Sequence, residues 1–207
     1  VSGRFISLEG GEGVGKSTQL KALASALRGR GLEVVETREP GGSPGAEAIR
    51  ELLLQGEVDR WMPETEALLF AAARSDHVAR KIKPALDFGQ WVLCDRFIDS
   101  SLAYQGAAGG VGMSDIMKLH RIGSHGLLPD RTLLLDLPQF DAAWREHARD
   151  DGKLDRFGRK GGAYHQALAE AFRSLAADYP GRFRVVDAEG SVEEVTAKLL
   201  AAIEDLL

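Results

Sequence analysis

A short apolar run, Phe5-Ile6-Ser7-Leu8, opens into Gly10-Gly11-Glu12-Gly13-Val14-Gly15-Lys16-Ser17, and an amphipathic segment with Leu20, Leu23, Ala24 and Leu27 on one face follows to about Arg30. This strand–loop–helix order constrains the chain more than any other feature. The loop fits the pattern G-x-x-x-x-G-K-S, a phosphate cradle. Its glycines let successive backbone N–H groups converge on phosphate oxygens, and the helix N-terminus adds positive potential. Residues Gly10, Gly11, Glu12, Gly13, Val14, Gly15, Lys16, Ser17 and Thr18 are therefore the expected nucleotide-binding segment. Lys16 can reach β- and γ-phosphate oxygens, and the Ser17 hydroxyl can ligate Mg²⁺. Triphosphate binding follows from the loop; the reaction does not.

Further apolar runs repeat the theme. Leu32–Thr37, Trp91–Cys94, Thr132–Leu137 and Phe183–Asp187 read as strands. Residues 44–56, 64–86 and 192–206 read as helices. Strands alternating with helices imply an α/β fold with a parallel five-stranded sheet, doubly wound by helices on both faces. The net charge of −5 gives no basic field for nucleic acid or an anionic membrane, so a phosphate site must be local. The single cysteine, Cys94, cannot form an intrachain disulfide and fits a reducing compartment. With no apolar run of membrane-spanning length and no signal-peptide pattern, the chain reads as cytoplasmic.

Two tempting matches carry little. Asp87-Phe88-Gly89 spells a protein-kinase metal motif, but no V-A-I-K lysine or H-R-D loop accompanies it, so it reads as a helix end and turn. The chain contains no asparagine and so lacks the guanine-reading N-K-x-D. That weakens a switch reading of Asp155-Arg156-Phe157-Gly158.

The acceptor side of the reaction is written elsewhere. Phe70 and Arg74, four apart on an expected helix, share a face, where a ring can stack on a base while a guanidinium donates to its carbonyl. Ser101, Tyr104 and Gln105 fall at i, i+3 and i+4 and can frame a pyrimidine edge. Arg96 follows an apolar strand directly, and Arg38 follows another. Strand carboxyl ends are where ligands bind in open α/β sheets, and arginine suits phosphate.

Taken in order, the glycine loop, Arg38-Glu39-Pro40-Gly41-Gly42, Phe70-Ala-Ala-Ala-Arg74, Asp95-Arg96-Phe97-Ile98-Asp99-Ser100-Ser101 and Ala103-Tyr104-Gln105-Gly106 resemble bacterial thymidylate kinases over essentially the whole chain. The resemblance implies a P-loop NTPase-type sheet in the order 2-3-1-4-5. It implies transfer of the γ-phosphate of ATP to dTMP with Mg²⁺, one domain, and a homodimer that uses no nucleic acid or membrane. It implies that Phe70 stacks on thymine and Arg74 contacts its O4. Ser101 and Gln105 lie near the base edge, and Tyr104 lies where a 2′-hydroxyl would project. It places Arg96 and Arg38 at the acceptor phosphate, Asp95 toward Mg²⁺ with Ser17, and Glu12 at the acceptor's 3′-hydroxyl. Gly13 puts the chain among the members whose cations come from a lid, expected at about 139–160. There Arg145, Arg149, Lys153 and Arg156 are spaced for one helical face, and Arg149 and Arg156 join Lys16, Arg96, Asp95 and Glu12 as expected catalytic residues. Gly158 departs from the acidic residue that relatives often carry there. Another small-acceptor kinase of the same fold, or a slowly hydrolysing switch, are the competing readings.

Overall fold

The computed structural model describes residues 3–137 and 155–207. Its strands are β1 Phe5–Glu9, β2 Val34–Arg38, β3 Trp91–Asp95, β4 Arg131–Asp136 and β5 Phe183–Asp187. All pair in parallel, in the order β2-β3-β1-β4-β5, as expected. The period-2 alternation divides each strand between two cores. Phe5, Val92, Cys94 and Leu134 point to one, and Ile6, Leu8, Leu93, Leu133 and Leu135 to the other. Helices cover both faces, so the strands can be apolar throughout.

Helix α1, Lys16–Gly29, packs Leu20, Leu23 and Leu27 on one face of the sheet beside Val195 and Leu199 of α8, Val192–Ala201. α8 begins with a reciprocal cap. Ser191 Oγ accepts from the Glu194 amide at 3.2 Å, and the Glu194 carboxylate accepts from the Ser191 amide at 2.7 Å. A separate 3₁₀ turn, Glu204–Leu206, replaces the end of the longer helix expected there. The other face is covered by α3, Pro63–His77, by α6, Met113–Ser124, and by α7, Gly162–Asp178. α2, Pro44–Leu54, lies against α3.

The helix expected over 64–86 is interrupted. After α3 the chain widens into a π-helical turn, Val78–Ile82, before α4, Lys83–Asp87. Pro84 in the first turn of α4 has no N–H to give and crowds the carbonyl four residues back, which accounts for the break. Asp87 ends α4, and Gly89 turns with φ 79°, so Asp87-Phe88-Gly89 is the expected helix end.

After β3 comes a short helix α5, Ile98–Ser101, and then a π-helical stretch, Leu102–Ala108. Asp99, fully buried, holds this region to the sheet. It accepts from Arg182 at 2.5 and 2.8 Å and from the Thr132 hydroxyl at 3.0 Å. Of the expected lid, residues 138–154 lie outside the described residues. Asp155 starts a turn in which its carboxylate accepts from the amides of Phe157 and Gly158, both at 2.9 Å.

α6 buries His120 against the Phe97 ring. Its Nε2 donates to Leu127 O at 2.7 Å, while Nδ1 is buried without a partner among the described residues. Burial, with Arg74 nearby, pushes the imidazole down from 6.5 to about 4. The unfolded chain therefore binds the extra proton between those values. Stability from this group is complete above about pH 6.5 and is lost as pH falls toward 4, up to about 3 kcal/mol. The urea midpoint of wild type should fall across this window more steeply than that of His120→Asn. Equal slopes would contradict the buried neutral state.

Candidate active site

The parallel register brings three functional ends together. Arg38 pairs with Asp95 at the ends of β2 and β3, and Leu8 pairs with Asp95 across β1 and β3. The glycine loop leaves β1 at this edge. Gly10 has φ 136°, and a Cβ there would sit 2.5 Å from Leu135 O, so the loop passes too close to β4 for any other residue. Gly15, φ 93°, is the left-handed residue from which α1 starts. Lys16 is buried and folds back to donate to Gly11 O at 2.5 Å and Gly10 O at 3.3 Å. Burial, helped by Arg96, lowers its ammonium from 10.5 to about 8. Val14 is buried, and Ser17 and Thr18 are exposed.

The Ser17 hydroxyl donates to Asp95 Oδ2 at 2.6 Å, so the two expected Mg²⁺ ligands are in contact. Both offer hard oxygen. A divalent magnesium site commonly takes only one or two protein oxygens, the rest being phosphate and water, and this pair fits that donor set.

Arg96 adopts a left-handed backbone, φ 68°. Its guanidinium donates to Glu12 at 2.7 Å, to Gly10 O at 3.0 Å and to Ser100 Oγ at 3.1 Å, and lies 5.0 Å from the centre of the Tyr104 ring. The Tyr104 hydroxyl donates to the same Glu12 oxygen at 2.8 Å. Burial alone would raise Glu12, but Arg96, Lys16 and the tyrosine hydroxyl hold it down at about 2. Beneath the loop, Glu9 accepts from the Phe97 amide at 2.8 Å and from the Ser100 hydroxyl at 2.6 Å. Complete burial, with Asp99 close by, pushes Glu9 up to about 8.

Beside the loop lies a cavity of about 200 Å³. Glu12, Lys16, Ser17, Arg38, Phe70, Arg74, Asp95, Arg96, Ser101, Tyr104 and Gln105 all border it. The spacing argument for 101, 104 and 105 holds although the segment is α-helical only to Ser101 and π-helical beyond. Arg74 is buried, with its Nε donating to Glu39 at 2.7 Å and its Nη2 to Ser101 Oγ at 2.8 Å. Gln105 donates its amide to Glu66 at 2.9 Å, which leaves its oxygen uncommitted among the described residues. Arg38, half exposed, is bound by both Glu47 oxygens at 3.0 Å.

Arg156 is a correction. Expected as a lid cation over the triphosphate, it is instead fully buried. Its Nε donates to Leu53 O and its Nη1 to Val58 O, each at 3.0 Å, and its Nη2 is paired with Glu66. Each of its nitrogens is engaged within the protein, and it anchors the turn that starts at Asp155 to α2 and α3. Arg149, like Arg145 and Lys153, lies outside the described residues.

Several bordering residues had no role in the sequence reading. Arg50 of α2 donates to Pro40 O at 2.6 Å and adds a cation to the wall. Phe157 sets its ring edge-on to Phe70 and Tyr104, at 5.8 and 5.9 Å between centroids. Glu39, at the end of β2, is buried and holds Arg74. The signals available were the place of Glu39 inside the Arg38–Gly42 motif and of Phe157 inside Asp155–Gly158; Arg50 carried none beyond residue type.

A family model described as thymidylate kinase matches residues 8–199. The thymidylate kinase of Rhizorhabdus wittichii is 63% identical over 207 residues, covering 100% of both chains. That of Chromohalobacter salexigens is 50% identical over 206 residues, covering 99% of this chain and 97% of its own. Among solved structures, thymidylate kinase from Ehrlichia chaffeensis superposes with a TM-score of 0.77 at 29% identity, covering 100% of both chains. With the model spanning nearly the whole sequence and bacterial relatives matching it end to end, the chain belongs to the thymidylate kinase family.

Proposed function

We propose that the cavity takes the acceptor dTMP and the glycine loop takes ATP with Mg²⁺, in a chain whose family reaction is phosphorylation of dTMP to dTDP. One observation carries this placement. Arg74 borders the cavity with Nε and Nη2 tied to Glu39 and Ser101, and Nη1 is its one nitrogen without a partner among the described residues. A guanidinium fixed on one edge and open on the other suits a carbonyl on a flat base.

On this reading thymine stacks on Phe70, Arg74 donates to its O4, and the Gln105 oxygen and Ser101 lie at the base edge. The Tyr104 ring fills the space beside C2′. Arg96, Arg38 and Arg50 are the cations for the acceptor phosphate. Arg96 and Arg38 are held meanwhile by Glu12 and Glu47. Glu12, once released by Arg96, is free to accept from the 3′-hydroxyl.

The acceptor phosphate is already ionised near neutral pH, so no general base is needed. Its oxygen attacks the γ-phosphorus in line, the bond to the bridging oxygen breaks, and ADP leaves. Lys16 neutralises charge on the β- and γ-phosphate oxygens, and Arg149 keeps its expected role as a lid cation. When bound, Mg²⁺ supplies further neutralisation of the triphosphate, held by Ser17 and Asp95. The chain works as one domain in the cytoplasm; no helix among the described residues is long and apolar enough to cross a membrane.

Base choice tests the placement. Thymine and uracil differ by one methyl, worth about 1–3 kcal/mol, so kcat/KM should favour dTMP over dUMP by roughly 10–200-fold. Cytosine puts a donor where Arg74 donates, and hydrogen-bonding sites reject such mismatches by about 10⁴–10⁵. Arg74→Ala should reduce the penalty against dCMP. Comparable use of dCMP and dTMP by wild type would sink the assignment.

Lys16 gives a second test. In the free protein its pKa is about 8, so above that value much of it is neutral. A bound triphosphate restores the ammonium. Calorimetric titration with a non-hydrolysable ATP analogue at about pH 8.5, in buffers of different ionisation heat, should show net proton uptake. Lys16→Ala should lose that uptake, and about 10³–10⁵ in turnover. Uptake unchanged in the variant would place the titrating group elsewhere.

The homodimer is proposed on the face shared by α3 and α6, which pack together and expose Leu68 at 55% and Ile122 at 79%. Sedimentation should give a dimer for wild type and a monomer for Leu68→Glu/Ile122→Glu. A dimer that survives both changes would move the interface to another face.

A further inference from the structure

Behind Arg74 an unbroken chain of buried polar groups continues into Glu39, His77 and Thr37, which the proposed chemistry does not use. The Thr37 hydroxyl lies 2.6 Å from His77 Nε2, and His77 Nδ1 lies 3.0 Å from Glu39 Oε1. Glu39 Oε2 accepts from Arg74 Nε at 2.7 Å, and Arg74 Nη2 donates to Ser101 Oγ at 2.8 Å. Exposure of these residues is 8% for Thr37, 0% for His77, 6% for Glu39, 3% for Arg74 and 3% for Ser101, so water does not substitute for any link. A carboxylate only accepts, so His77 Nδ1 donates to Glu39. Every bond in the chain then has one donor and one acceptor.

The chain also has a direction. Thr37 and Glu39 come from the end of β2, and Glu39 N donates to Asp95 O at 2.9 Å, which locks that end to β3. His77 and Arg74 come from α3, one turn apart. The Arg74 guanidinium rests on the Phe97 ring at 5.2 Å from its centre. Glu39 fixes its Nε edge and Ser101 fixes Nη2, which leaves Nη1 without a partner among the described residues and open to the cavity. Rotating the guanidinium about its long axis would require breaking the Glu39 bond in a buried site, where an unpaired charge is costly.

We propose that Glu39 and His77 are specificity-determining positioning residues, which hold Arg74 so that its free edge reads the acceptor's base. Neither is a catalytic group: Glu39, in the cavity wall, acts through Arg74, and His77 acts through Glu39. The proposal rests on the base-reading role of Arg74 put forward above. Misplacing a reading group by about 1 Å can cost about 100-fold. The discrimination between dTMP and dCMP is therefore the quantity these residues control.

The experiment measures kcat/KM for dTMP and for dCMP at saturating ATP in wild type, Arg74→Ala, Glu39→Gln, Glu39→Ala and His77→Ala. Glu39→Gln is isosteric and keeps an oxygen for Arg74 Nε while removing the charge, so it provides a folded variant should Glu39→Ala prove unstable. The dTMP/dCMP ratio should collapse in Arg74→Ala. It should fall by about 100-fold in Glu39→Ala, with Glu39→Gln and His77→Ala smaller in the same direction. A purely structural role would lower the melting temperature, or turnover with both acceptors, and leave the ratio untouched. A wild-type ratio in both Glu39 variants alongside a collapsed ratio in Arg74→Ala overturns the positioning role and leaves the base reading standing. A wild-type ratio in Arg74→Ala overturns the base reading, and the positioning role with it.

Discussion

A charge can be kept beneath a protein surface only where another charge or a full set of hydrogen bonds answers it, and the wall of the cavity beside the glycine loop depends on that constraint. Arg74 and Glu39 answer each other in that wall, Arg156 and Glu66 do so beside the turn that starts at Asp155, and Arg182 and Asp99 do so beneath α5. Remove one member and the other is stranded in an apolar wall. The pairs therefore fix where the second element of each contact can lie. α3 is held to the end of β2, the turn that starts at Asp155 to α2 and α3, and α5 to the sheet. The cavity is the space these attachments leave.

The sheet serves the same end from below. Parallel strands deliver their carboxyl ends to one edge, so the loop after β1, Arg38 after β2 and Arg96 after β3 meet without any long excursion of chain. The left-handed Arg96 is steadied by Glu9, which accepts from the following amide and from Ser100. The position of the Arg96 guanidinium is thus anchored in the central strand itself.

Much of this could be read from the sequence, and the reasons are local. The strands announced themselves as apolar runs because both faces of a parallel sheet are covered. The loop was legible because Gly10, Gly15 and Lys16 each answer a geometric demand within eight residues. Phe70 with Arg74, and Ser101 with Tyr104 and Gln105, were legible as helical neighbours, even though a π-helical stretch carries the last two. What stayed hidden was tertiary pairing. Nothing in spacing joins Glu39 to His77 or Gln105 to Glu66, since each pair is brought together by the packing of separate elements. Arg156 read as one more cation in a charged run, and only the nearness of Glu66, Leu53 O and Val58 O turned it inward. Pro84 broke a helix that apolar periodicity alone would have continued.

Gly42 borders no part of the cavity, yet it is not a free position. Its φ is 88°, and a Cβ there would fall 2.5 Å from both His77 Nε2 and Thr37 Oγ1. Any side chain would have to force that bond apart. The displacement would pass into His77, from there to the carboxylate of Glu39, and so to the guanidinium beyond. The tolerance of position 42 to mutation is thus governed from inside the wall rather than by its own loop, and a drifting lineage would register a change there as a change of pocket.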